Sequence, residues 1–151
     1  MKQYFPFFLL TCLSFWGCDK AVFKSYQELP GNRWVKNDVR IFKIEVTDDA
    51  TPMQLNLELQ HANSILLPSI QMAVQIAAPS GESEIKQIEV AIKDEKGEFK
   101  GDGAADIWDF CCFPLTERKT FQKGTYTIGL TQLTKYEYIP GLMGIGIRLE
   151  K

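Results

Sequence analysis

Histidine is nearly missing from this chain: His61 is the sole imidazole in 151 residues. Cysteine is sparse, with four in all. A zinc centre needs three or four Cys, His or carboxylate ligands at workable spacing, and these residues do not supply that pattern. A nucleophilic hydrolase needs a serine on a strained turn, a base and an orienting carboxylate, but no G-x-S-x-G occurs. His61, with Ser64 near it, falls two residues beyond Leu59 in an alternating apolar stretch, which makes it a structural histidine rather than a base. There is no basic stripe. Lys and Arg number 17 against 19 Asp and Glu, a net charge of −2, so nucleic acid is not an expected partner. No segment holds a 3.6-residue apolar period beyond a turn or two, and there is no internal repeat. After Trp16 no uncharged apolar run is long enough to cross a bilayer as a helix.

The N-terminus differs from the rest. Lys2 supplies a positive charge, and residues 4–16, YFPFFLLTCLSFW, are apolar and uncharged. That length suits an export signal and is too short for a transmembrane helix. Gly17 is small, Cys18 follows, and Asp19 and Lys20 restore polarity at once. This is the layout of a bacterial lipoprotein signal. The thiol of Cys18 takes a diacylglycerol, residues 1–17 are removed, and the new amine can be acylated too. Several acyl chains on one residue give stable anchoring, since each buried CH₂ contributes about 0.8 kcal/mol. The expected mature protein is residues 18–151, one domain. Cys12 leaves with the signal and Cys18 carries lipid, so only Cys111 and Cys112 remain. Neighbouring residues on a strand point to opposite faces. The expectation is one buried and one partly exposed thiol, with a vicinal disulfide or an intermolecular bridge as alternatives.

The mature sequence reads as short strands between turns. Met53, Leu55, Leu57 and Leu59 alternate with polar residues, as do Ile70, Met72, Val74 and Ile76, and then Ile88, Val90 and Ile92. Tyr126, Ile128 and Leu130 alternate with threonines and a glycine. Met143, Ile145, Ile147 and Leu149 form a last strand, interleaved with Gly144, Gly146, Arg148 and Glu150, where the glycines suggest a bend or close approach of another backbone. Residues 22–26 form a plausible first strand. Val39 and Ile41 share one parity and Phe42, Ile44 and Val46 the other, so a β-bulge near Ile41-Phe42 is expected to turn both sets inward. Turn signals stand at Leu29-Pro30-Gly31-Asn32, Pro79-Ser80-Gly81, Asp94-Glu95-Lys96-Gly97, Lys123-Gly124 and Pro140-Gly141. The fold class is all-β: an antiparallel β-sandwich of about seven or eight strands, with jelly-roll connectivity as one arrangement.

Few residues are candidates for chemistry. Asp102, Asp106 and Asp109 share a glycine-rich loop and could begin a calcium site, which wants six to eight oxygens, but the EF-hand spacing is absent and the same residues serve equally as turn caps. Two carboxylates across a sugar cleft would be needed for glycosidase work, and spacing alone does not place them. No cofactor motif is present. Trp34, Trp108, Tyr136 and Tyr138 lie near polar loops. Exposed, they would anchor a protein partner or stack on sugar rings; buried, the tryptophans would close the ends of a core.

The order of short motifs over residues 18–151 carries a resemblance. Cys18-Asp19 precedes Val22-Phe23 and Tyr26, then Leu29-Pro30 and Trp34. The alternating strand at 55–59 is followed by Pro68-Ser69 and by Ala78-Pro79-Ser80-Gly81. A glycine-rich hairpin runs from Asp94 through Gly97-Glu98-Phe99-Lys100-Gly101-Asp102-Gly103 to Asp106-Ile107. Phe121, Gly124-Thr125-Tyr126 and a Leu142…Ile145-Gly146-Ile147-Arg148 ending complete the set. In these the chain resembles the gliding motility-associated lipoprotein family GldH of Bacteroidetes. The large Phe15 and Trp16 before Gly17-Cys18 suit the looser lipoprotein signals of that phylum. The resemblance implies a non-enzymatic envelope lipoprotein, held to the membrane through Cys18, whose partners are other envelope proteins of the gliding machinery and its type IX secretion system. Asp19-Lys20-Ala21-Val22 lacks the acidic run of surface-exported lipoproteins, which implies the periplasmic side of the outer membrane. The alternative from the residues alone is a carbohydrate-binding lipoprotein using Trp34, Trp108 and the 102–109 loop; it requires an open face with coplanar aromatics.

Replacing the lipid-bearing residue tests the first expectation. Cys18→Ser should move the protein from the membrane fraction to the soluble fraction or block its processing, and should remove the mass increment of the acyl chains.

Overall fold

The computed structural model describes residues 21–151; Cys18 and the expected signal segment lie outside them. Among the described residues the strands are β1 (Ala21–Glu28), β2 (Arg33–Val35), β3 (Arg40–Val46), β4 (Gln54–Ala62), β5 (Ser69–Ala77), β6 (Ser83–Ala91), β7 (Asp102–Ala104), β8 (Ile107–Pro114), β9 (Gly124–Gln132), β10 (Tyr138–Pro140) and β11 (Leu142–Glu150). One 3-10 turn, Pro30–Asn32, joins the first two.

Three strands are three residues long, β2, β7 and β10, and the eight others make the frame. Their pairing is nested. The first of the eight pairs with the last (β1 with β11), the second with the seventh (β3 with β9), the third with the sixth (β4 with β8), and the fourth with the fifth (β5 with β6), all antiparallel. Such nesting is one long hairpin. Winding it up adds the pairs β11–β4 and β9–β5 and splits the strands between two sheets, of order β1-β11-β4-β8-β7 and β3-β9-β5-β6. This is jelly-roll connectivity, and the expected eight-strand sandwich is present.

Alternation explains why these residues take this form. Leu55, Leu57 and Leu59 of β4 and Ile145, Ile147 and Leu149 of β11 point inward from one sheet. Ile70, Met72, Val74 and Ile76 of β5 and Ile128 and Leu130 of β9 meet them from the other. All of these are buried in one continuous cluster. Each such side chain contributes about 1.5–3 kcal/mol by leaving water. A one-residue slip would turn every row outward, so the pattern fixes register as well as fold.

The expected bulge in β3 is not there. Its register with β9 runs unbroken from Arg40↔Leu130 to Val46↔Gly124. Phe42, Ile44 and Val46 face inward, whereas Ile41 is 54% exposed and Val39 48%. An unbroken period of two must send one parity to solvent, and the longer inward row wins. Register shifts occur instead in the other sheet, at Ala21/Phe23 of β1, at Leu142/Gly144 of β11 and on β8. Leu57 stands opposite Phe113 and Leu59 opposite Phe110, so Cys111 and Cys112 together face the single residue Glu58. Two residues against one is a β-bulge.

The two connections that cross between sheets beside each other, β1 to β3 and β9 to β11, each carry one short strand. These strands, β2 and β10, pair as a ribbon with Ile139 opposite Trp34. Trp34 and Ile139 are fully buried, while Val35, Tyr138 and Pro140 face out. The ribbon thus closes one end of the sandwich.

Two substitutions separate the inward from the outward rows. Leu57→Ala should lower unfolding free energy by about 2–5 kcal/mol. Ile41→Ala, on the exposed parity, should change it by no more than about 0.5 kcal/mol. Urea midpoints of the two variants read the difference directly.

Candidate interaction surfaces

The outer face of the larger sheet carries a polar groove of about 370 Å³. Its floor is made by absence of side chains. On β11 the outward positions are Gly144, Gly146 and Arg148. A methyl group on Gly144 would overlap the Tyr26 hydroxyl and ring, and one on Gly146 would press on Glu58 and the Ser25 carbonyl. The glycines therefore admit close neighbours, the Tyr26 ring at Gly144 and, at Gly146, the Glu58 carboxylate and the Ser25 backbone carbonyl, the close backbone approach expected of them. Tyr26 lies across that floor and donates to Gln60 Oε1 at 3.0 Å; Gln60 Nε2 in turn donates to Asp109 Oδ1 at 2.8 Å. Burial raises the Tyr26 phenol above its ordinary value, and the charges of Glu28 and Asp109 add to this. At the other end of the groove Glu58 is nearly buried and lies between two cations, Lys24 Nζ at 3.3 Å and Arg148 Nε at 3.0 Å. Arg148 reaches Glu150 at 3.0 Å, and Asn56 donates to the same carboxylate. A charge removed from water is tolerated only when paired in this way, so the row is mutually dependent. The sequence singles out Asp109 only as a possible calcium ligand and Tyr26, Gly146 and Arg148 only as parts of the family motifs; nothing in it joins them to Lys24, Glu58 and Gln60.

Cys111 and Cys112 form a vicinal disulfide on the β8 bulge. This corrects the expected pair of free thiols, one buried: both residues are exposed. The bulge is the reason. It takes Cys112 to φ +70°, out of the extended conformation that would have sent the two side chains to opposite faces. Cys111 Sγ lies 3.5 Å from Glu58 Oε1, at the margin of the groove.

His61 continues the inward row of β4 and is fully buried. Its ring packs 4.8 Å from Phe99, and Phe99 lies 5.4 Å from Trp108, which faces His61 across the strand pair. Nδ1 lies 3.3 Å from the Ala62 carbonyl, while Nε2 is buried with no hydrogen-bond partner. Burial holds the imidazole below its ordinary value of 6.5; Lys93 pushes the same way, against the Ala62 carbonyl and Asp109. Ser64 is exposed on the following turn.

The other expected site residues do not converge. Trp34 is fully buried, with its indole N–H donating to the Asp38 carbonyl at 2.8 Å. Trp108 is half-buried, with Phe99 on one side and Gly103 close to its ring. The tryptophans therefore give no coplanar sugar platform, and Trp34 serves instead to close an end of the core. Asp102 and Asp109 oppose one another on the β7–β8 hairpin, while Asp106 in its turn accepts from Asn63 at 2.6 Å. They form no metal-ligating group among the described residues. Tyr136 and Tyr138 are both about half exposed, at 46%, and sit together beside Leu66, Leu67 and Pro140 around a mostly apolar hollow of about 350 Å³.

Frame and surface define an all-β jelly-roll protein that presents a self-paired polar groove on one sheet and an apolar hollow between β10 and the connections beside it. The comparison with known families gives the particular one. The chain belongs to the GldH lipoprotein family, whose model matches residues 21–149. It is also 26% identical to the gliding motility lipoprotein GldH of Flavobacterium johnsoniae over 151 residues, covering 95% of this chain and 93% of that protein.

His61 makes stability pH-dependent. Because folding lowers its affinity for a proton, the unfolded chain protonates first as pH falls through about 6.5, and unfolding free energy declines from there downward; above that pH the contribution is intact. Denaturant titrations between pH 7.5 and 5 should show this fall, and His61→Phe should flatten it in that window.

Proposed function

We propose that the chain is a lipid-anchored envelope protein that acts without catalysis, through protein contacts, in the gliding machinery and its type IX secretion system. The observation that carries this reading is the family match, which takes in nearly all of the folded sandwich. The name of the Flavobacterium johnsoniae relative points the same way. Cys18 is the anchor. It stands three residues before β1, after a segment with the charge and length of an export signal. The protein faces the periplasm from the inner leaflet of the outer membrane, since Asp19-Lys20-Ala21-Val22 carries no acidic run. The surface supports contact rather than turnover. In the groove the lone pairs of Glu58 are committed to Lys24 and Arg148, and His61 is enclosed by the core. A rigid sandwich with an outward polar row and an apolar hollow suits the holding of partners in register.

Deleting the gene and restoring it tests the role. Colony spreading and the release of secreted proteins should both fall and should both return with the intact gene. Normal spreading together with normal secretion in the deletion strain would remove the basis for the proposal.

A further inference from the structure

We infer that the end of the sandwich opposite the lipid-bearing N-terminus is the docking surface, and that its occupant is a protein segment with apolar side chains flanked by carboxylates. The inference rests on Cys18 being the anchor. Strand register fixes which end is which. Ala21 opens β1 beside Glu150, and Glu28 closes it beside Gly144, so one end holds the N-terminus and the other lies about 23 Å away along the strand. Cys18 is three residues from Ala21, a reach of about 10 Å at most. The anchored end is thereby kept at the membrane and the far end is aimed away from it.

Exposed apolar side chains follow this axis. Among the described residues eleven large hydrophobic side chains are exposed, and all but Val22, Tyr26 and Ile85 lie at the far end or in the first turn of chain from it. Leu66 is 84% exposed on the β4–β5 connection. Val35, Tyr138 and Pro140 form the outer face of the β2–β10 ribbon, whose inner face is Trp34 and Ile139. Tyr138 and Pro140, with Leu66, Leu67, Tyr136 and Glu137, line the 350 Å³ hollow. A concentration of this kind, on a rigid element that has its own buried support, is the anatomy of a contact site rather than of scattered surface apolarity.

Charge selects the occupant. Arg33 lies 5.4 Å from the centre of the Tyr138 ring and Lys135 5.3 Å from that of Tyr136. Lys36 follows β2 directly, Glu137 lines the hollow itself and Asp38 is paired with Arg40, so residues 33–40 and 135–140 together carry more cations than carboxylates. The rim is positive around an apolar floor. A second copy of the chain would bring one positive rim against another, which like-charge repulsion opposes. The bilayer is at the other end. What remains complementary is a different protein offering apolar residues between acidic ones.

Photocrosslinking in native envelopes tests this with the full, lipidated protein. Benzoylphenylalanine placed at Leu66 or at Tyr136 should give an adduct with another protein, and the crosslinked segment, read by mass spectrometry, should be apolar with Asp or Glu on its flanks. The same probe at Ile85 should give none. Reversing the rim with Arg33→Glu and Lys135→Glu together should cut the adduct at least about tenfold, while Lys43→Glu, on the outer face of the other sheet, should leave it unchanged, at equal membrane levels of each variant. Adducts at twice the chain's own mass, adducts with lipid, equal yield from Ile85, no adduct from Leu66 and Tyr136, or indifference to rim reversal would each overturn it. The two proposals fail separately. A deletion strain that spreads and secretes normally sinks the machinery role while the crosslink stands; a deletion that abolishes both functions, with a distal end that captures nothing, sinks the docking surface alone.

Discussion

The pairing of the first long strand with the last is the constraint on which this fold rests. Ala21 lies beside Glu150, so the closing ladder joins the two ends of the described chain. β11 is held on both sides, by β1 and β4, and supplies Ile145, Ile147 and Leu149 to the core. Every pair nested within it follows from that closure. Its cost is entropic, because ends far apart in sequence must meet before their contacts stabilise anything. Topologies dominated by such distant pairings fold slowly. The same closure sets the polarity of the molecule, since it places the N-terminus at one end of the sheet and leaves the crossings between sheets to close the other.

The two faces of β11 show how one strand serves both packing and surface. Inward, it carries the large branched side chains of the core. Outward, it gives up side chains at 144 and 146, and Tyr26 and Glu58 occupy the space. Glycine weakens a strand through backbone entropy and lost packing. Here the loss is offset by what it admits: a near-buried carboxylate between Lys24 and Arg148, and a hydrogen-bonded chain from Tyr26 through Gln60 to Asp109. The groove is therefore a property of three strands at once and of no single motif.

Much of the frame was legible because its signal is local. The alternation at 55–59, 70–76 and 145–149 is read directly from side-chain type, and the strands built there have the expected inward rows. Asp94 and Gly97 form the expected turn, with Gly97 at φ +82° and the Asp94 carboxylate accepting from the backbone of Lys96 and Glu98. The failures share a cause. β8 was hidden because its bulge shifts the inward parity between Phe110 and Phe113, which breaks period two at the pair of cysteines. β3 departs from its pattern for the converse reason: apolar residues on both parities predict a bulge, but Val39 and Ile41 stay in water. The β2–β10 ribbon is too short for any periodicity, and the burial of Trp34 depends on Ile139, more than a hundred residues later. The site was less legible than the fold, because Lys24, Glu58 and Arg148 meet only through strand order.

The bulge on β8 has a further consequence wherever other chains crowd the protein. β7 covers only Ile107 to Asp109, so among the described residues the rest of β8 is a sheet edge. A flat edge offers its peptide groups as a template on which another chain can add as a strand, the first step toward aggregation. This edge is not flat. Two residues crowd opposite one, Cys112 turns the backbone left-handed, and Pro114 ends the strand without an N–H to donate. A neighbouring chain, still unfolded, finds no continuous ladder there to extend.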